Sequence, residues 1–149
     1  MNSATSHIVA ALCERLGLRQ VPGFYRSPFF LSCLAVGAIF WGVLPLLVVV
    51  QPLSWHRIPS LAFLLAVVWQ PIVEELLFRG CLQGLLSIRK WGQRCLVGLS
   101  IANLLTSLMF TGAHLATHSL LWAALTLFPS LLFGVLRDRS GSVFPPISL

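Results

Sequence analysis

Acid is the scarcest component of this sequence. Glu14, Glu74, Glu75 and Asp138 are its only side-chain carboxylates in 149 residues, and charged residues of both signs make up 9% of the chain. A soluble domain carries about 25%. With 57% hydrophobic residues, the chain has too little polar surface to cover itself, which excludes a soluble globular domain and points to an integral membrane protein. No C-x-x-C pair occurs among Cys13, Cys33, Cys81 and Cys95. Neither a metal site nor a disulfide framework is indicated, and cysteines in or beside apolar runs are expected to be small packed hydrophobes. The net charge of +6 comes without an aromatic–basic face that could hold a nucleic acid strand. The basic residues sit instead at the ends of apolar runs, where they set topology and face anionic headgroups. There is no internal repeat, low-complexity tract or soluble domain.

What is present is a series of apolar runs. Residues 29–50, 61–86, 96–116 and 120–136 form four, with Pro45 expected to kink the first and Pro129 lying inside the fourth. At 1.5 Å per residue the first spans about 33 Å, enough for one crossing. Ahead of them, Ile8, Leu12 and Leu16 recur at helical spacing with Glu14, Arg15 and Arg19 among them, the pattern of an amphipathic helix lying on the membrane surface. Its short apolar part, interrupted by Glu14, does not make a signal peptide. The expected fold is all-α: a polytopic membrane helix bundle of about four transmembrane helices with an N-terminal interfacial helix. Residues 1–28 would form the cytoplasmic amphipathic segment and 29–149 the membrane domain. Arg15, Arg19 and Arg26 precede the first run and Arg57 follows it. Arg89, Lys90 and Arg94 separate the second from the third. No Lys or Arg separates the third from the fourth, and Arg137 and Arg139 follow the fourth. That alternation places both termini in the cytoplasm.

One stretch resists a purely structural account. PIVEELLFRG, residues 71–80, puts two glutamates and an arginine inside a strongly apolar run. A carboxylate at mid-membrane costs about 2.5–3.5 kcal/mol on insertion scales. Glu75 and Arg79 are four residues apart and can pair on one helix face, but Glu74 points about 100° away. Two carboxylates this close do not titrate independently. One is expected to stay ionised against Arg79, and the other to serve as a general base. The third run contains SLMFTGAHLATH, with His114 near its end and His118 one turn on. The i, i+4 histidines have metal-ligand spacing, but no Glu follows His114 as in H-E-x-x-H. A carboxylate and an imidazole can together hold and deprotonate a water.

These residues resemble a known family. EELLFR, Glu74 to Arg79, looks like the E-E-x-x-x-R motif of the CAAX-processing and bacteriocin-processing (CPBP, or Abi) intramembrane proteases, and FTGAH, Phe110 to His114, looks like their F-x-x-x-H motif. The resemblance covers residues 61–149. It implies that Glu74 is the catalytic glutamate and that His114 helps it activate a water for attack on a peptide bond. Glu75 and Arg79 would support the site, and Glu75 could assist. It also implies a membrane-anchored peptide or protein substrate, in some members a prenylated C-terminus or a C-terminal sorting tag, and a bacterial inner-membrane location. Members have been regarded both as zinc metalloproteases and as metal-free glutamate proteases. One clear histidine and one or two carboxylates fall short of a three-ligand zinc site, which favours the metal-free chemistry. The family's third motif, H-x-x-x-N or H-x-x-x-D, is expected in a helix after the Gly-Ser turn, where Leu149 ends this sequence. His118 and Asn103 are the candidate substitutes for its oxyanion-stabilising group. Residue counting also puts Glu74 and His114 about 10 Å apart along the membrane normal, so tilt or a shifted boundary must align them. Two other functions are open: a non-catalytic member acting in immunity or as a scaffold, and a small transporter or channel subunit. The latter needs a polar path, and Gln70, Gln83, Asn103, Thr106 and Thr111 look scattered.

Overall fold

A computed structural model describes residues 13–48 and 61–149. A 3-10 turn, Phe24–Arg26, leads into α1, Pro28–Leu47. Pro28 occupies the first turn, where its missing N–H costs nothing, and the Ser27 side chain accepts from the Phe30 amide. Pro45 lies in the last turn of α1. Helix α2 runs over Leu61–Ser87 and widens to π geometry at Leu65–Trp69 and again at Leu76–Leu82. The first wide turn precedes Pro71, which has no N–H to continue the ladder. Two short strands, β1 (Cys95–Leu96) and β2 (Leu99–Ser100), form an antiparallel hairpin with Cys95 opposite Ser100. Helix α3, Ile101–His114, is capped by the Ser100 side chain. Helix α4, Leu120–Ser140, is capped by Ser119 at one end and by left-handed Gly141 at the other, with Arg137 and Arg139 favourably placed in its last turn. A single turn, α5 (Phe144–Ile147), follows.

The burial is inverted relative to a soluble protein. The fully enclosed side chains include Arg79, Gln83, Asn103, Thr106, Ser107 and Ser130, whereas Ile39, Leu46, Leu61, Leu85 and Leu120 are exposed. Lipid would cover such an exterior, and buried polar groups satisfied between helices are what a membrane bundle needs. Helices α1, α2 and α4 are each long and apolar enough to cross a membrane. Apolar packing concentrates at one end, where Phe30, Cys33 and Leu136 cluster with Phe24, Phe29, Leu132 and Leu149. All four cysteines are free, and Cys95 is exposed rather than packed.

Two boundaries differ from those expected. The third apolar run does not start its helix at residue 96. Val97 and Gly98 adopt positive φ and turn the chain back, so the helix begins only at Ile101. It is 14 residues long, about 21 Å. Among the described residues, the N-terminal helix does not continue through Arg19. Cys13 to Arg15 are helical, and the chain then unwinds. Gly17 is left-handed, and its carbonyl accepts from the Val143 amide (2.9 Å). The Arg19 carbonyl accepts from Ser142 Oγ (2.6 Å). Gly80 and Gly84 let this segment lie directly against α2: a side chain at Gly84 would overlap the Arg15 carbonyl. Ile8, Leu12 and Arg57 fall outside the described residues.

Candidate active site

Three rows of side chains spaced by four residues meet between α2, α3 and α4. Glu75, Arg79 and Gln83 lie on α2. Asn103 and Ser107 lie on α3, with Phe110 and His114 further along. Ser130, Gly134 and Asp138 lie on α4. Four-residue spacing keeps each row on one helix face.

Arg79 is the hub. It is 0% exposed and Glu75 is 4% exposed. Their closest approach is 3.5 Å, from Arg79 Nε to Glu75 Oε2. This is an ion pair rather than a well-formed hydrogen bond, and both atoms are without a hydrogen-bond partner. The stronger bonds of Arg79 run to α4: Nη2 donates to the Ser130 carbonyl (2.8 Å) and to Ser130 Oγ (2.6 Å). The guanidinium also sits 5.7 Å from the centre of the Phe110 ring, within cation–π range. The Arg79 carbonyl, in the wide π stretch of α2, accepts from Arg137 Nε (3.2 Å).

Phe110 joins this hub to the imidazole. Its ring meets Phe78 edge to face at 5.0 Å and lies 4.4 Å from the His114 ring. His114 Nδ1 lies 2.9 Å from the Phe110 carbonyl. A carbonyl can only accept, so Nδ1 is the donor in this contact, which in the neutral imidazole leaves the lone pair on Nε2. His114 lines a cleft of about 210 Å³ with Phe40, Trp41, Trp122, Phe133 and Ser130. The cleft is walled by α1, α3 and α4, and neither glutamate is among its lining residues. The Phe78–Phe110 contact also fixes the register of α2 against α3, which run in opposite directions. One turn before Phe78 is Glu74, and one turn beyond Phe110 is His114. Glu74 is partly buried, and its Oε1 accepts from Gln70 Nε2 (3.0 Å). His118 is exposed, with Nδ1 2.8 Å from Thr117 Oγ1 and its ring 5.6 Å from that of His114.

Asn103 lies deeper along α3. Its Nδ2 donates to the Leu131 carbonyl (3.0 Å), which ties α3 to α4, and its Oδ1 accepts from Ser107 Oγ (3.0 Å) one turn on within α3. Gln83 Nε2 donates to the Gly134 carbonyl (2.9 Å) and to Asp138 Oδ1 (2.7 Å), and Ser100 Oγ donates to Asp138 Oδ2 (2.6 Å). Sequence reasoning did not single out Ser130 or Asp138 and treated Gln83 as isolated. The signal for all three was the four-residue period. Among the described residues no three of His, Cys, Asp and Glu gather as a group that could hold a metal ion.

A bundle with three membrane-length helices that encloses a carboxylate and a guanidinium on one of them, beside a helix carrying an imidazole at a cleft, defines a polytopic membrane protein with a buried polar centre. Residues 56–149 match the family described as type II CAAX prenyl endopeptidase, Rce1-like. The match spans more than half of the chain, and the protein belongs to this family of CAAX-type membrane proteases. No curated protein and no solved structure matches the chain.

Proposed function

We propose that the protein is an intramembrane endopeptidase that hydrolyses a peptide bond near the terminus of a membrane-anchored protein or peptide, such as a C-terminal sorting tag. Glu74 acts as general base on a water held jointly with the Nε2 lone pair of His114. Its carboxylate accepts the water proton as the oxygen attacks the scissile carbonyl, and the proton then passes to the leaving amine. Glu75 and Arg79 hold α2 in place against Ser130, and Phe110 seats the imidazole. His118, one turn beyond His114, is the candidate group for the oxyanion, and no metal takes part. The catalytic unit is residues 29–149 in four crossings with both termini cytoplasmic. The observation that supports this reading is the Phe78–Phe110 contact between α2 and α3, with Glu74 one turn from Phe78 and His114 one turn from Phe110.

The test is cleavage of co-expressed membrane-anchored proteins carrying cleavable C-terminal tags, followed by mass spectrometry. Glu74→Gln and His114→Asn should each lower the rate by at least about 10²-fold while the protein accumulates normally in the membrane. Unchanged cleavage in both variants would overturn the assignment. Absence of cleavage by the parent chain on every substrate would favour the non-catalytic scaffold.

A further inference from the structure

The β1–β2 hairpin has a polar, immobilised base and an apolar tip. At the base, the Arg94 carbonyl accepts from the Ile101 amide and the Gly92 carbonyl from the Ala102 amide, both at 2.9 Å. Gln93 Nε2 donates to the Ser87 carbonyl (2.8 Å) and Ser100 Oγ donates to Asp138. Gly92 packs so closely that a side chain there would overlap the Leu86 carbonyl. The hairpin is thus clamped to the ends of α2, α3 and α4. The tip makes no such contacts: Val97 is 95% exposed and Leu96 61% exposed.

The turn chemistry sharpens the point. Val97 and Gly98 have φ of 52° and 81°. Two-residue hairpin turns with positive φ at both central positions favour Asn-Gly or Asp-Gly, and a β-branched residue there is strained. Valine is a poor choice for the turn and a good one for contact with hydrocarbon. On the base side, the segment leading into the hairpin carries exposed Ile88 and Trp91 together with exposed Arg89, Lys90 and Arg94. No acidic residue occurs between Glu75 and Asp138. Seven residues, 88–94, separate the hairpin from the end of the membrane-length helix α2, and Gln93 bonds back to Ser87, which places the hairpin at the bilayer surface.

We infer that this hairpin is a lipid-inserting wedge. Leu96 and Val97 enter the acyl boundary, Trp91 sits at headgroup level, and Arg89, Lys90 and Arg94 bind the phosphates of anionic lipids. The occupant is the bilayer rather than another protein because apolar tip and cationic collar match the two layers of a leaflet in order.

The naturally exposed Cys95 allows a test in the full chain. With Cys13, Cys33 and Cys81 replaced by alanine, Cys95 carries an environment-sensitive fluorophore, and the protein is reconstituted in phosphatidylcholine vesicles with or without phosphatidylglycerol. The label should be quenched by lipids bearing a nitroxide near the headgroup and shielded from aqueous iodide, more so with phosphatidylglycerol. Neutralising Arg89, Lys90 and Arg94 to glutamine should lower the immersed-to-free ratio by roughly fivefold per charge. Val97→Asn suits the turn and keeps the hairpin folded, yet should return the label to iodide. A label fully open to iodide in anionic vesicles would overturn the inference. So would shielding that follows the protein-to-lipid ratio and ignores lipid charge, which would mean that a second copy covers the tip.

Discussion

The centre of the molecule is Arg79, a cation enclosed without solvent. Removing one partner of a buried pair strands the other charge and costs about 3–5 kcal/mol. Arg79→Met should therefore destabilise the protein by that amount, read as a large drop in the thermal midpoint in detergent. Ser130→Ala removes a hydroxyl but keeps the backbone acceptor of Arg79 Nη2, so it should cost only about 1–2 kcal/mol. Arg79→Lys should resemble Arg79→Met more than the parent, because an ammonium cannot reach Glu75 and Ser130 with the geometry of a planar fork. At this scale the sequence was informative where chemistry was unusual. Glu74, Glu75 and Arg79 stood out because charge in an apolar run is expensive. Ser130 did not, because a serine beside a proline in an apolar helix looks ordinary until its partner is known.

At the scale of elements, glycines decide how closely the helices approach. A side chain at Gly134 would overlap the Asn103 carboxamide. Gly134→Ala should destabilise by about 1–3 kcal/mol, and Asn103→Ala in the same chain should recover part of that loss, a non-additivity measurable by a double-mutant cycle in detergent unfolding. The N-terminal strap, residues 13–19 lying against α2, depends on Gly84 in the same way. Arg137 Nη2 donates to the Arg15 carbonyl (3.3 Å) while its Nε holds the Arg79 carbonyl, so one side chain links the strap to the polar centre. With Cys33, Cys81 and Cys95 replaced, Gly84→Leu should detach the strap and speed alkylation of Cys13. An unchanged rate would mean that α2 yields instead. The long helices α1, α2 and α4 were legible in the apolar runs. The start of α3 was not, because Leu96, Val97 and Leu99 read as helix by hydropathy, and only the positive φ at Val97 and Gly98 makes them a hairpin. Where the N-terminal helix ends was not legible for a related reason: Leu16 continues an amphipathic period, but Gly17 breaks it to reach Val143.

At the scale of the molecule, Arg15, Arg137 and Arg139 gather at one end, with Arg139 stacked 4.0 Å over the Phe29 ring at the start of α1. The hairpin base joins the same end through Asp138. The positive-inside rule then predicts a single face for all of them. Impermeant thiol reagents should label Lys90→Cys and Ser148→Cys from one side of a sealed membrane and Thr117→Cys from the other. Labelling of Lys90→Cys and Thr117→Cys from the same side would mean that the 14-residue α3 does not cross. The polar centre is held in place by hydrogen bonds to backbone carbonyls of α4, which suits a fixed hydrolytic site better than a conduction path. The most direct test of that account is cleavage of a membrane-anchored substrate in heavy-oxygen water by the full chain and by Glu74→Gln. The account predicts one heavy oxygen in the new C-terminal carboxylate of the parent's product and almost no product from the variant. Product formed without the label, or formed equally by Glu74→Gln, would contradict it.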